Sequence, residues 1–334
     1  MNNGQRATDD GPRTFPMPWL IGIDEAGYGP NLGPLVQTAV GASAPDDGCL
    51  WKRLGKAVRK AGDKRGNGAL IVDDSKKVYA SRKGLDKLEV GVLATLLPAD
   101  QEFPLSLGQF LERVAPAALV ELRGERWFDE TQLLPIAVEA ERIRTAAEKF
   151  HRQREAVDIG EFWVRSRVTP PALFNTMLDR LLNKADILAH GLCWLLREGR
   201  HPDNGRDPVI FAIDRQGGRR YHEALLASVC PDGWVRVVSE DAICCRYRME
   251  GKRQWHWSFE VEAEARHFTV ALASMISKYL REVLMGQFNR FWLTQVPGLR
   301  PTAGYPTDAG RFYAAIRPAM TQLGIEEAAV WRRR

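Results

Sequence analysis

Two short apolar runs, each closed by an acid, constrain this chain more than any other feature of its sequence. Trp19-Leu20-Ile21-Gly22-Ile23 leads into Asp24-Glu25, and Pro208-Val209-Ile210-Phe211-Ala212-Ile213 leads into Asp214. Runs this short read as buried strands. A carboxylate closing such a strand stands at the carboxyl edge of a sheet, where α/β proteins place their chemistry. Helical patterns alternate with the strands, so the expected class is α/β.

Further strands are predicted over 35–40, 69–72, 161–168 and 234–239. Helices are predicted over 82–97, 138–151, 184–197, 260–291 and 309–323. Another begins at Thr169-Pro170-Pro171, with Thr as N-cap and Pro in the first turn. The basic stretch 52–65 predicts an exposed helix, for which nucleic-acid contact and plain solvation weigh equally. Residues 45–70 and 98–157 read as insertions. The second is punctuated by Pro98, Pro104, Pro116 and Pro135, has helix of its own, and reads as a lid or second lobe. The division that follows is a flexible tail over 1–18, one domain over 19–330 and a basic tail over 331–334, either disordered or touching phosphate.

The 334 residues are 45% hydrophobic and 27% charged, which supports a sizeable core without disulfides or a structural metal. The five cysteines contain no Cys-x-x-Cys pair, so a disulfide framework or zinc ribbon is not indicated and a reducing cytoplasm is expected. No signal peptide and no membrane span are read, and a monomer is expected. The formal charge of +5 suits an anionic partner, and solubility alone explains it equally well.

Asp24 and Glu25 are adjacent, and side chains alternate along a strand, so both serve one site only if the chain turns there. Gly27 and Gly29 supply the turn. Solvation at a strand end is the plainer reading of both acids. Asp214, ahead of Gly217-Gly218, could equally cap a helix starting near Arg219. Residues 268–284 form a helix apolar nearly all round, on which Ser274, Lys278 and Glu282 make one polar stripe. An acid on a buried helix needs a cation or a metal. The simpler partner for Glu282 is Lys278 at the rim. Carboxylates converging without His or Cys suit Mg²⁺ or Mn²⁺. Two such ions about 4 Å apart support phosphodiester hydrolysis.

The segment Gly22-Ile23-Asp24-Glu25-Ala26-Gly27-Tyr28-Gly29-Pro30-Asn31-Leu32-Gly33-Pro34 resembles the opening motif of the type 2 ribonuclease H family, ribonucleases HII and HIII. Asp74-Ser75-Lys76-Lys77, Asp214, the run from Ala273 to Glu282 and Gly304-Tyr305-Pro306 resemble later motifs of that family, in the family's order. The resemblance implies a ribonuclease H-like fold, a mixed central sheet flanked by helices, with a helical insertion and C-terminal helices. It also implies an RNA–DNA hybrid as partner, two-metal catalysis with Mg²⁺ or Mn²⁺, and products with 3′-hydroxyl and 5′-phosphate ends. It assigns Asp24, Glu25, Asp214 and Glu282 to the metals. Gly27, Tyr28, Gly29, Ser75, Lys76, Ser274 and Lys278 are assigned to the substrate or to organising the site, and Tyr305 to stacking on a sugar. Tyr28 stands where ribonuclease HII carries an arginine, and Glu282 where it usually carries aspartate. Three functions follow as expectations: a hybrid endonuclease, a same-fold metal nuclease acting on another nucleic-acid structure, and a hybrid-binding protein without catalysis. Trp255-His256-Trp257 reads more readily as core or rim packing than as a base-stacking cluster.

Overall fold

The computed structural model describes residues 17–63, 68–79, 84–160, 162–181, 183–198, 207–215, 219–230, 233–251 and 254–333. Its first strand, β1 (Trp19–Ala26), carries the first apolar run, and β2 (Leu35–Ser43) returns beside it. Then follow α1 (Leu50–Arg53), the short strands β3 (Val58–Arg59) and β4 (Leu70–Ile71), α2 (Ser75–Val78) and α3 (Asp86–Leu96). Next come β5 (Leu105–Ser106), α4 (Leu107–Val114), α5 (Pro116–Leu122), β6 (Leu133–Leu134) and α6 (Ala140–Ala156). The chain re-enters the sheet with β7 (Trp163–Thr169), crosses by α7 (Pro171–Leu181) and α8 (Lys184–Glu198), and forms β8 (Val209–Asp214). The remainder is α9 (Glu223–Val229), β9 (Trp234–Glu240), β10 (Cys244–Glu250), β11 (Trp255–Glu260), a 3-10 turn at Ala263–Ala265, α10 (Phe268–Gln295) and α11 (Pro306–Leu323).

One seven-stranded sheet has the order β7-β2-β1-β8-β11-β10-β9. β7, β2 and β1 are antiparallel neighbours; β1, β8 and β11 run parallel; β10 and β9 return antiparallel. This is a mixed α/β fold with a central mixed sheet flanked by helices, as expected. One face packs with α8 and α9 around Phe211, Trp257 and Tyr247. The other carries α10 over β1 and β2, so close that any side chain at Gly22 would collide with the Thr269–Val270 backbone.

Four expectations change. The stretch 52–65 is not a helix: α1 ends at Arg53, and Val58–Arg59 pair with Leu70–Ile71 instead; Lys64 and Arg65 lie outside the described residues. The helix expected from 260 starts at Phe268, because Glu262 takes a left-handed conformation (φ 55°) that helix interiors exclude. In the tail, Arg332 is fully buried and Trp331 bridges to Leu32, so Arg332 is not presented to phosphate; Arg333 is exposed and pairs with Asp179 at 2.6 Å. Trp255 and Trp257 lie in the core on β11, as expected. The insertion 98–157 buries Phe110, Ile143 and Phe150 in one core with Leu272, Tyr279 and Phe288 of α10, so it forms the wall behind that helix. The expected start at Arg82, the tail before residue 17, Gly217-Gly218 and Arg334 lie outside the described residues.

Candidate active site

Parallel pairing of β1 with β8 in the register Ile23↔Ile213 brings Asp24 and Asp214 to the same sheet edge, on the face covered by α10. Asp24 is only 7% exposed. Its Oδ1 accepts the Glu25 N–H at 2.7 Å, and the Ser274 hydroxyl donates to its carboxylate. Ser277 donates to its backbone carbonyl at 3.2 Å, which ties the strand end to α10. Burial, then the charges of Glu25 and Asp214, push the Asp24 carboxyl well above the ordinary carboxylate range. Burial, then the charge of Glu264, raise Asp214 to about 7.

Glu264 is the acid that the sequence reading missed. It sits on the 3-10 turn before α10, 9% exposed, and shares a hydrogen bond with Asp214. Its Oε2 is buried with no hydrogen-bond partner among the described residues. The Ala263 N–H donates to Asp214 Oδ1 at 3.1 Å and fixes the turn against the strand end. Glu260 is nearer in register, directly opposite Asp214. It is already engaged, by His267 at 2.9 Å and Arg266 at 2.7 Å, which hold its carboxyl down at about 2. The sequence signal for Glu264 was an acid just ahead of the buried helix; it was lost because Glu260, Glu262 and Glu264 read as one helical start.

Lys76 faces this group from α2. Burial disfavours its charge, but Asp74, Glu264, Asp24 and Asp214 outweigh that and raise its pKa. The Asp74 side chain caps α2 by accepting the Lys76 N–H at 2.9 Å. Ser75 and Ser274 share a hydrogen bond at 3.0 Å, so α2 and α10 are joined beside Asp24.

The structure does not bring Glu282 into this group. Eight residues beyond Ser274 on the same helix correspond to roughly 12 Å along its axis. Its two oxygens are taken by Lys278 at 2.5 Å and the Tyr79 hydroxyl at 2.8 Å. The simple pairing of Lys278 with Glu282 is therefore what forms, with Lys278 also 4.7 Å from the centre of the Tyr79 ring.

Gly27, Tyr28 and Gly29 follow the first two acids along the chain, and Gly27 and Tyr305 both lie beside Arg281. Gly27 has φ +91°, and a side chain there would collide with the Pro34 carbonyl and the Arg281 guanidinium. Gly29 is exposed with nothing near its Cα hydrogens. Tyr28 is half-buried against the cluster of Leu35 and Phe174, with Glu25 close enough to add to the burial that raises its pKa. Tyr305, 46% exposed, opens α11 with the buried Arg281 guanidinium 5.8 Å from its ring centre.

The donor set suits a hard cation: oxygen ligands only, carboxylates that oppose one another's ionisation, and the partnerless Glu264 Oε2. The carboxylates approach in pairs; no group of three His, Cys, Asp or Glu side chains among the described residues is gathered as a metal site.

No family model matches this chain, and no curated protein matches it significantly. Solved structures do show likeness. The ribonuclease HII of Archaeoglobus fulgidus, solved in complex with PCNA, is 15% identical with TM-score 0.40, over 95% of this chain and 94% of that one. The ribonuclease H2 of Pyrococcus horikoshii OT3 is 14% identical with TM-score 0.40, over 93% and 92%. Bst ribonuclease HIII in complex with Mn²⁺ is 15% identical with TM-score 0.39, over 98% of this chain and 72% of that one.

Among the described residues, no helix is long and apolar enough to cross a membrane.

Proposed function

We propose that this chain is a divalent-metal-dependent endonuclease that hydrolyses the RNA strand of RNA–DNA hybrids and leaves 3′-hydroxyl and 5′-phosphate ends. The observation that carries this reading is that Asp214, at the end of β8, neighbours Asp24 of β1 on one side and Glu264 of the turn before α10 on the other, with Lys76 facing them. Buried carboxylates that raise one another's pKa call for positive charge, and one lysine does not supply enough. Asp24, Glu25, Asp214 and Glu264 would hold Mg²⁺ or Mn²⁺. Two such ions, when bound, supply an activated water and charge stabilisation at the leaving 3′-oxygen.

The remaining residues position and screen. Ser274 orients the Asp24 carboxylate and is itself held by Ser75. Lys76 offsets the carboxylate charge and presents an ammonium to an incoming phosphate. Gly27 and Gly29 let the backbone approach the substrate, and Tyr28 and Tyr305 present ring faces at the rim, Tyr305 for a sugar. Lys278 is spent on Glu282, so that pair supports the wall beside Tyr79. The choice of hybrid rests on the order of the sequence motifs.

Tyr28, in place of the arginine of ribonuclease HII, favours a second reading, the same chemistry on another nucleic-acid structure. End-labelled RNA–DNA hybrid, DNA with one embedded ribonucleotide, and all-DNA duplex, each with Mg²⁺ or Mn²⁺, separate the two. Cutting of the hybrid that disappears with EDTA and in Asp24→Asn is expected. Equal cutting of hybrid and plain DNA would select the second reading, and wild-type activity in Asp24→Asn would remove both.

A further inference from the structure

The α10 helix covers β1 and β2, whereas the half of the sheet made by β11, β10 and β9 shows water a polar face on which three arginines are exposed. Its other face is core, with Trp255, Trp257 and Tyr247 buried. Cross-strand partners point to the same side of a sheet, so the register defines what the open face holds. Asp214 stands opposite Glu260; Ala212 opposite Ser258, and Ser258 opposite Arg246; Ile210 opposite His256, then Arg248, then Arg236. Trp234 ends the face opposite Glu250 and is 83% exposed. The acid Asp214 and the arginines therefore share one side of one sheet. With strands about 4.8 Å apart and a rise of about 3.3 Å per residue, Arg246 lies roughly 12 Å, Arg248 roughly 16 Å and Arg236 roughly 20 Å from Asp214.

Stability does not account for this composition. Arg236 and Arg248 are direct cross-strand neighbours, and like charges so placed oppose folding. Both reach the same oxygen of Glu250, at 3.1 and 3.0 Å, so one carboxylate serves two guanidiniums. Arg246 adds a third exposed cation on the acid side of them. Exposed guanidiniums in a row ending at an exposed indole make a surface suited to a phosphodiester backbone with one base or sugar stacked at its end.

We propose that this open face is a nucleic-acid platform, which extends the nuclease reading and rests on it. Arg246, Arg248 and Arg236 contact successive phosphates of the strand leading away from Asp214, and Trp234 stacks at the far edge. The face holds substrate and takes no part in the bond-breaking step.

The test uses the full chain, the double variant Arg246→Gln/Arg248→Gln, Trp234→Ala, and Asp24→Asn as reference. Anisotropy of a labelled RNA–DNA hybrid of about 20 base pairs is titrated in EDTA over a range of salt. Loss of two phosphate contacts should weaken binding about tenfold at moderate salt and lower the slope of log K against log salt by roughly two. Trp234→Ala should weaken binding with the slope unchanged. Single-turnover cleavage at saturating protein should match the parent in both, and thermal melts confirm folding. Parental affinity and slope in the double variant would overturn the platform. Self-association lost in Trp234→Ala while hybrid binding stays intact would overturn it too, by making the face a protein interface. Failure of the parental chain to cut, with Asp24→Asn still binding normally, would strike the nuclease reading alone and leave the platform to the binding titrations.

Discussion

Arg281 on α10 and Arg332 near the C-terminal end grip one loop from two sides. Arg281 donates to the Leu32 carbonyl at 3.2 Å and to Ala303 at 3.0 Å, and Arg332 donates to the Pro30 carbonyl. The backbone closes the clasp: the Arg332 N–H donates to Asn31 O at 2.8 Å, and Asn31 Nδ2 donates back to Arg332 O at 3.2 Å. Burial, then the charge of Arg281, bring the Arg332 pKa down to about 9. The loop they hold follows Asp24 and Glu25 directly.

Arg332→Ala should therefore lower unfolding free energy by about 1–3 kcal/mol, since it leaves a buried carbonyl without its donor. Urea denaturation measures this. Cleavage should fall as well, because the rim formed by Tyr28 and Gly29 loses its support. An unchanged denaturation midpoint would show that the clasp contributes nothing.

Glu264 and Glu282 provide a direct comparison between two acids, one on the turn before α10 and one 18 residues on, within the helix. Glu264→Gln should reduce metal-dependent cleavage by more than the roughly 10- to 100-fold that loss of a supporting group costs. Glu282→Gln should stay within a few-fold of the parent. The opposite ranking, read from initial rates at saturating Mg²⁺, would return the fourth acid to α10.

His222 gives a pH dependence separate from the active site. It is buried against Phe259, with ring centroids 3.6 Å apart, and burial followed by the charges of Arg219 and Arg215 lowers its pKa to about 4. The unfolded chain takes up this proton near pH 6.5 and the folded chain does not, so stability is full above about 6.5 and is lost as pH falls toward 4. The loss should approach about 3 kcal/mol at the lower limit, on the order of the shift itself. Melting curves at pH 7 and pH 5 should diverge less for His222→Phe than for the parent; equal divergence would remove His222 as the cause.

Gly27→Ala should destabilise by about 1–3 kcal/mol, because φ +91° is unfavourable for a side chain and the Pro34 carbonyl occupies its space. Gly29→Ala should be close to neutral, since nothing lies near that position. Thermal melts of the two variants, two positions apart along the same motif, check both expectations. Equal melting temperatures would mean that the turn relaxes without cost.

The strands β1 and β8, and the acids that end them, were legible because apolar runs of this length leave few alternatives. α10 was legible as a buried helix because it is apolar on nearly every side. Its start was not: the chain is left-handed at Glu262, makes a 3-10 turn at Ala263–Ala265 and is extended at His267, so Glu264 stands on that turn ahead of the helix, beside Asp214. Periodicity carries no information about such a turn. The burial of Arg332 was equally hidden, because its acceptor at Pro30 lies 302 positions away in the chain. Charge alone offered phosphate contact or disorder for that tail. The basic stretch 52–65 misled for a local reason: Gly55 and Gly62 break it, and two of its residues find partners in β4.

The parallel pairing of β1 with β8 also sets an order of events during synthesis. Asp24 emerges early, yet Asp214 and Glu264 join it only after the helices between them have been made and β8 has docked. A nascent chain or a truncated fragment holding only the first acid therefore has nothing to pair with it, and any hydrolytic chemistry at this edge waits for the fold to close. If the proposed cutting of nucleic acid holds, this late assembly acts as a safety catch for a chain that emerges from a ribosome wrapped in RNA.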